Sequence, residues 1–167
     1  MSESPRFRRS YHESIFSAVS AGFFLIMAGT LFLVTSGLFE GVIDFFKDFD
    51  TIRVLSTDVY LPAPRTLTSH MVVYETARLF CLYWGVFLVA LLIARFVLHS
   101  SSRKKAENLS DIVFWLGAMY LIQTMLLDVT SLAYKEWFAF WAAIIMLLGV
   151  SLIVRAIVLA GVRTSHI

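Results

Sequence analysis

The chain has 167 residues and a formal net charge of +2; 59% of its residues are hydrophobic and only 16% are charged. Soluble domains carry about 25% charged residues, and a chain of this length cannot bury so much apolar surface within itself. The composition therefore excludes a soluble globular domain. The basic residues sit in short clusters at segment ends and do not form a stripe, which argues against a nucleic-acid partner. Lipid is the expected surrounding of most of the chain.

The first apolar segment covers residues 15–39 and contains no charged side chain. As a helix it would be about 37 Å long at 1.5 Å per residue, and the hydrocarbon core of a bilayer is about 30 Å thick. The segment is also longer than the apolar core of a secretory signal peptide, which measures about 7–15 residues. We therefore predict a membrane span here in preference to a cleaved signal.

The loop over residues 40–70 contains two further predicted elements. Acidic and basic residues recur every three or four positions in Leu38–Phe49, between apolar and aromatic ones, which predicts an amphipathic helix. Thr51–Leu61 is rich in β-branched residues and is predicted to be extended, with Pro62 and Pro64 ending it. Such a segment either adds to the sheet edge of a partner or folds over its own bundle.

Three more apolar segments follow, and Asn108 or Ser110 is the predicted N-cap of the second of them. The fold class predicted from these elements is an all-α membrane protein with a single membrane domain over residues 1–167. It is a four-transmembrane-helix bundle, with the amphipathic helix and a short extended segment in the first extracytoplasmic loop. The four spans are predicted at residues 15–39, 71–98, 112–132 and 137–160.

The basic residues predict the orientation of the bundle. With the N-terminus inside, nine Lys and Arg residues lie on the cytoplasmic side and five lie outside, as the positive-inside rule requires. We therefore expect both termini in the cytoplasm and a multi-pass protein of the plasma membrane. The nine inner residues are Arg6, Arg8, Arg9, Arg95, Arg103, Lys104, Lys105, Arg155 and Arg163.

Small residues recur every seven positions in the first and fourth spans, so each set lies on one helix face. Small side chains let membrane helices approach closely, which predicts that both faces pack against neighbouring helices. Because small residues are common in membrane helices, the alternative is that the pattern has no packing role. The two sets are Gly22, Gly29 and Ser36, and Ala142, Gly149 and Ala156.

The third span is the most polar, and its polar residues share one face. An ionisable side chain within a span is a candidate functional residue, because an unpaired charge in hydrocarbon is costly. We expect Asp128 to pair with Arg78 of the second span, as a structural lock between helices or, alternatively, as part of a substrate or proton site. The candidate cluster is Glu75, Arg78, Tyr120, Gln123, Thr124, Asp128 and Ser131.

No metal or cofactor site is predicted. The four histidines lie near helix ends or in tails, and no two have the spacing of ligands on one helix. The single cysteine, Cys81, lies in an apolar run and is predicted to be a packed thiol. His70 with Glu75 would need a second subunit to complete a metal site.

Three classes of function remain. A non-catalytic, accessory or structural subunit of a larger membrane complex is favoured, because the chain has packing features and no catalytic motif. A small transporter or channel that uses the polar face of the third span is the alternative. A membrane enzyme or redox subunit ranks third, since no set of cofactor ligands is present. The expected partners are the lipid bilayer and protein chains bound through the membrane helices and the outer loop, or a second copy of this chain.

Overall fold

The computed structural model describes residues 5–54, 57–98, 100–128 and 132–164, with side chains described between Ser14 and Gly161. The described chain is mostly helical, with one small sheet. Its elements in chain order are α1 (Pro5–Val34), α2 (Leu38–Lys47), β1 (Phe49–Arg53), β2 (Tyr60–Pro64), a 3₁₀ turn (Leu67–His70), α3 (Met71–Val97), α4 (Ser102–Ile122), a π-helical turn (Gln123–Leu127) and α5 (Tyr134–Thr164).

Four helical segments are long and apolar enough to cross a membrane, as expected of a multi-pass membrane protein. The first ends earlier than predicted, at Val34, because the chain turns at Gly37. That residue has φ of 74°, a left-handed conformation that glycine adopts without steric cost. The four segments are Ser14–Val34, Leu67–Val97, Ser102–Leu127 and Tyr134–Gly161.

Helices α3, α4 and α5 form the packed centre of the bundle, and α1 contacts it chiefly through α3. Two glycines allow the close approaches. A Cβ atom on Gly85 would lie 2.8 Å from Cγ of Leu116, and one on Gly117 would lie 2.6 Å from Cδ1 of Leu147. The helix contacts within the chain therefore depend on glycines of the second and third spans.

Strands β1 and β2 form an antiparallel hairpin, in which Phe49 lies opposite Pro64 and Thr51 opposite Pro62. The prediction that the extended segment ends at Pro62 is wrong, because Pro62 lies within β2, and the strand continues to Pro64, its last residue. Each strand of a two-stranded sheet has one free edge. A proline fits into such a strand where an N–H group at its position would point to the free edge and form no hydrogen bond within the sheet. The segment is thus paired with itself. We call the end of the bundle that carries α2 and this hairpin the hairpin end.

Helix α4 begins at Ser102, ten residues before the predicted start of the third span. The basic residues after Ser101 continue the helix because Glu107 forms ion pairs with Arg103 and Lys104, four and three positions before it. Asn108 and Ser110 are therefore inside the helix and are not its N-caps. We call this opposite end of the bundle, where the basic residues gather, the basic end.

Candidate functional site

Glu75 and Arg78 lie one turn apart on α3 and form an ion pair, with 3.7 Å between Arg78 Nη2 and Glu75 Oε1. Arg78 is three-quarters buried, and its Nε atom has no hydrogen-bond partner among the residues that the structure describes. The expected pair with Asp128 is not formed among the described side chains. Each of the two charged residues instead finds a partner within its own segment.

Asp128 directly follows the π-helical turn, in which backbone hydrogen bonds join residues five apart. Its N–H donates to the carbonyl of Gln123 at 2.9 Å, and its Oδ1 accepts from the side-chain amide of Gln123 at 2.5 Å. Short π-helical segments inside α-helices are frequent at functional sites. This one ends α4 and leaves the Asp128 carboxylate exposed.

The remaining predicted cluster residues are less connected. Thr124 donates its hydroxyl to the carbonyl of Tyr120 at 2.9 Å, which satisfies the threonine within its own helix. Tyr120 points outward, with 64% of its surface exposed. Ser131 lies outside the described residues.

The helix register nevertheless brings part of the predicted cluster to one level. Gly85 of α3 touches Leu116 of α4 in an antiparallel arrangement. Arg78 lies seven residues before Gly85, and Gln123 lies seven residues after Leu116, which is about two turns in each helix. Arg78 and Gln123 therefore lie level, on the facing sides of α3 and α4. This arrangement can hold a water molecule or a small anion, and it can equally lock two helices together.

A second polar cluster, at the hairpin end, was not predicted. Oδ2 of Asp48 accepts hydrogen bonds from the N–H and hydroxyl of Thr66, at 2.8 and 2.7 Å, and from Nε2 of His70 at 2.9 Å. These donors lower the pKa of Asp48 from 3.8 to about 2, and the bond from His70 contributes most. The cluster joins the end of α2 to the start of α3. The cluster could not be predicted from a residue pattern, because Asp48 and His70 are 22 positions apart in the sequence.

An aromatic cluster lies beneath this polar one. The ring of Phe45 has its centroid 5.1 Å from that of Phe49, 6.1 Å from that of Tyr74 and 6.3 Å from that of Trp137, in edge-to-face contacts. The hydroxyl of Tyr74 and the indole N–H of Trp137 are buried without a hydrogen-bond partner among the described residues. Such groups usually bond to a protein group or an ordered water.

Glu107 connects the helices at the basic end. Its carboxylate lies 3.2 Å from Arg103, 3.0 Å from Lys104 and 2.8 Å from Arg155 of α5. Nearby, Asn108 donates to the carbonyl of Leu88 on α3, at 2.9 Å. One carboxylate and one amide thus tie α4 to both of its neighbours.

The small-residue faces of α1 and α5 point away from the bundle. The buried positions of α1 include Phe16, Met27 and Leu31, on the side opposite Gly22 and Gly29. No described atom lies within 4 Å of the place where a Cβ on Gly22, Gly29 or Gly149 would be, and Ser36, Ala142 and Ala156 are exposed. These faces do not pack within the chain as expected. Their role in packing against another chain stays a prediction.

Comparison of the chain with models of known protein families, with curated proteins and with solved structures found no match. The geometry described above therefore carries the functional interpretation.

Proposed function

We propose that the protein is a non-catalytic accessory subunit of a larger membrane complex, and that the outward faces of α1 and α5 bind its partner. The observation that carries the proposal is the one-sided packing of α1. Its contact with α3 runs through a strip that includes the stacked rings of Phe23 and Phe87, 4.1 Å apart. Its opposite side presents Gly22 and Gly29 with open space around them.

Lipid tails are as apolar as the helices, so the hydrophobic effect does not hold α1 against the bundle inside a membrane. Close van der Waals packing takes that role, and small residues permit it. The small residues of α1 face away from its own bundle. A helix of another chain packed on this face would supply the close contact that α1 lacks.

The polar side chains within the bundle also favour a structural role. Asn108 and Ser110 bond to the backbones of α3 and α5, and Thr124 bonds to its own helix. Groups satisfied in this way fix helix positions and are not left facing a substrate. For the same chain we propose the plasma membrane as its location, with both termini in the cytoplasm and the hairpin end outside.

Replacing Gly29 by Leu tests the partner face. The new side chain meets open space within the chain, so the fold should persist while a partner helix is displaced. Ala21→Leu is the matched control, because Ala21 is exposed on α1 about 80° away from the Gly22–Gly29 face. Both variants and the parent protein are purified in mild detergent, and their complexes are sized and identified by mass spectrometry.

We expect the parent protein and Ala21→Leu to be purified as a complex with a partner, and Gly29→Leu to be purified without that partner. A parent protein that is a monomer without companions, both in detergent and after crosslinking in the membrane, would contradict the subunit role. A complex that is equally stable with the parent protein and both variants would show that this face of α1 is not part of the interface.

A small transporter or channel is the second candidate, favoured by the buried Nε of Arg78 level with Gln123 and by the exposed carboxylate that follows the π turn. Asp128→Asn keeps the shape of this group and removes its charge. If the candidate is correct, the purified protein alone supports solute or ion flux in liposomes, and Asp128→Asn abolishes that flux without changing assembly. Flux indistinguishable from empty liposomes rules the candidate out.

A further inference from the structure

An apolar groove of about 380 Å³ lies between the hairpin and the first half of α5. Its walls include Phe49, Leu61 and Pro62 on one side and Trp141, Ala142 and Ile145 on the other. Trp141 and Ile145 are 49% and 69% exposed, so the groove opens on the outer surface of a helix that is apolar enough to span a membrane. Its volume falls in the range of about 300–1,000 Å³ that is typical of small-molecule sites.

A second opening, of about 400 Å³, lies at the start of the same helix and is more polar. It is lined by Arg65, Thr68 and Ser69 on one side and by Ala133 and Tyr134 on the other. The side chain of Arg65 is 67% exposed; its Nε and Nη2 atoms contact Oδ2 of Asp50 at 3.0 and 2.8 Å, and the remaining N–H groups of the guanidinium are left for a ligand. A guanidinium group and two hydroxyl groups are donors of the kind that bind phosphate oxygens.

The two openings follow each other along α5. The polar one is at Tyr134, and the apolar groove extends from Trp137 to Ile145. From Tyr134 to Ile145 the helix rises about 16 Å, roughly half of the ~30 Å hydrocarbon core. The polar opening thus lies at headgroup depth, and the groove descends from it to about the middle of a bilayer.

We propose that this paired site binds one phospholipid, with its phosphate at Arg65, Thr68 and Ser69 and one acyl chain in the groove along α5. Along the site, polar hydrogen-bond donors are followed by an apolar wall. In a phospholipid, the phosphate group is followed by the apolar acyl chains in the same order. Trp137 lines the end of the groove that is nearer to the polar opening, and only 2% of its surface is exposed.

A lipid fits the site better than a partner helix does. A helix is about 10 Å wide with its side chains and needs a long, open face. This groove is closed on one side by the hairpin, and polar donors continue it at one end only. The site does not involve the small residues of α1, and it shares only Ala142 with the outward small-residue face of α5. The test of the subunit role at Gly29 therefore leaves the lipid site unchanged, and failure of one proposal can be distinguished from failure of the other.

Ala142→Trp tests the groove, because its large side chain fills the space of the acyl chain. Ala160→Trp is the matched control: residue 160 lies 18 positions further on, five full turns away, on the same exposed helix face. The full-length protein and both variants are purified in mild detergent, and bound phospholipid is measured by native mass spectrometry. We expect one retained phospholipid per chain in the parent protein and in Ala160→Trp, and a loss of about tenfold in Ala142→Trp.

Arg65→Gln separates a phospholipid from other apolar ligands. It should lower phospholipid retention several-fold while leaving the binding of diacylglycerol, which has the acyl chains without the phosphate, unchanged. A phospholipid with a photoreactive acyl chain, reconstituted with the parent protein, should label residues 137–145 above the other exposed helices. The proposal would be overturned if the probe labelled all exposed helices equally, or if all variants retained the same amount of phospholipid. It would also be overturned if the parent protein retained a bound protein in place of lipid and Ala142→Trp released that protein.

Discussion

Asp48 is the residue whose chemistry the structure defines most closely. Three hydrogen bonds favour its charged form, which is why its pKa is lowered to about 2. A carboxyl group with a lowered pKa in the folded state stabilises that state above its ordinary pKa of 3.8. The contribution is lost as the pH falls from about 4 towards 2.

Asp48→Asn should therefore lower the thermal stability of the purified protein at pH 7, because the amide is a weaker acceptor than the carboxylate. The difference from the parent protein should shrink as the pH falls from 4 to 2, where the parent loses the same charge. Circular dichroism melts in detergent measure both effects. Asp44→Asn on the same helix is the control, and an equal loss of stability in the two variants would contradict the role of the cluster.

Gly85 is the second informative residue, because α4 lies directly against it. Gly85→Ala would place a Cβ 2.8 Å from Cγ of Leu116, so α3 and α4 must separate or the leucine must move. We expect a loss of about 1–3 kcal/mol in the free energy of unfolding. Leu116→Ala in the same chain should restore part of it, whereas Gly149→Ala, which meets open space, should cost little. An unchanged melt for Gly85→Ala would show that this contact is not tight.

At the scale of elements, polar contacts join α4 to α5 through Glu107, which faces Arg155, and Ser110, which donates to the carbonyl of Ser151. Glu107→Gln removes the charge that Arg155 of α5 faces at 2.8 Å. The partly buried Arg155 then loses its strongest partner, and we expect a loss of about 1–3 kcal/mol in stability. Glu40→Gln on α2 is the control, because Glu40 is exposed. The measurement is unfolding in a detergent series, and equal effects of the two substitutions would refute the role of Glu107.

The existence of most elements was predictable from the sequence, and their ends were not. The charge-free runs and the amphipathic segment predicted the helices, because apolar length and periodicity are local properties. The early start of α4 depended on ion pairs of Glu107, one of them with another helix. The hairpin forms because β1 pairs with β2 although β2 contains two prolines. A rule that treats each proline as the end of an extended segment cannot predict this pairing.

At the scale of the whole molecule, the orientation is open to a direct test. Asp58 is 97% exposed at the hairpin end, and Arg103 is 75% exposed at the basic end. In a Cys81→Ala background, Asp58→Cys should react with a membrane-impermeant maleimide in intact cells. Arg103→Cys should react only after the membrane is opened. The reverse pattern would show that the bundle has the opposite orientation, and labelling of both residues in intact cells would show that α3 does not cross the membrane.

The sequence by itself determined that four segments are apolar and long enough to cross a membrane as helices. That conclusion depends on composition and on runs of neighbouring residues. Only the tertiary structure decided which polar groups meet: Asp48 with His70, Asp128 with Gln123, and Glu107 with Arg155. It also placed the small-residue faces of α1 and α5 outside the bundle. All of these contacts depend on how each helix is rotated about its own axis. Inside lipid, packing between distant segments sets that rotation, because a hydrophobic face visible in the sequence does not decide which side of a helix is buried.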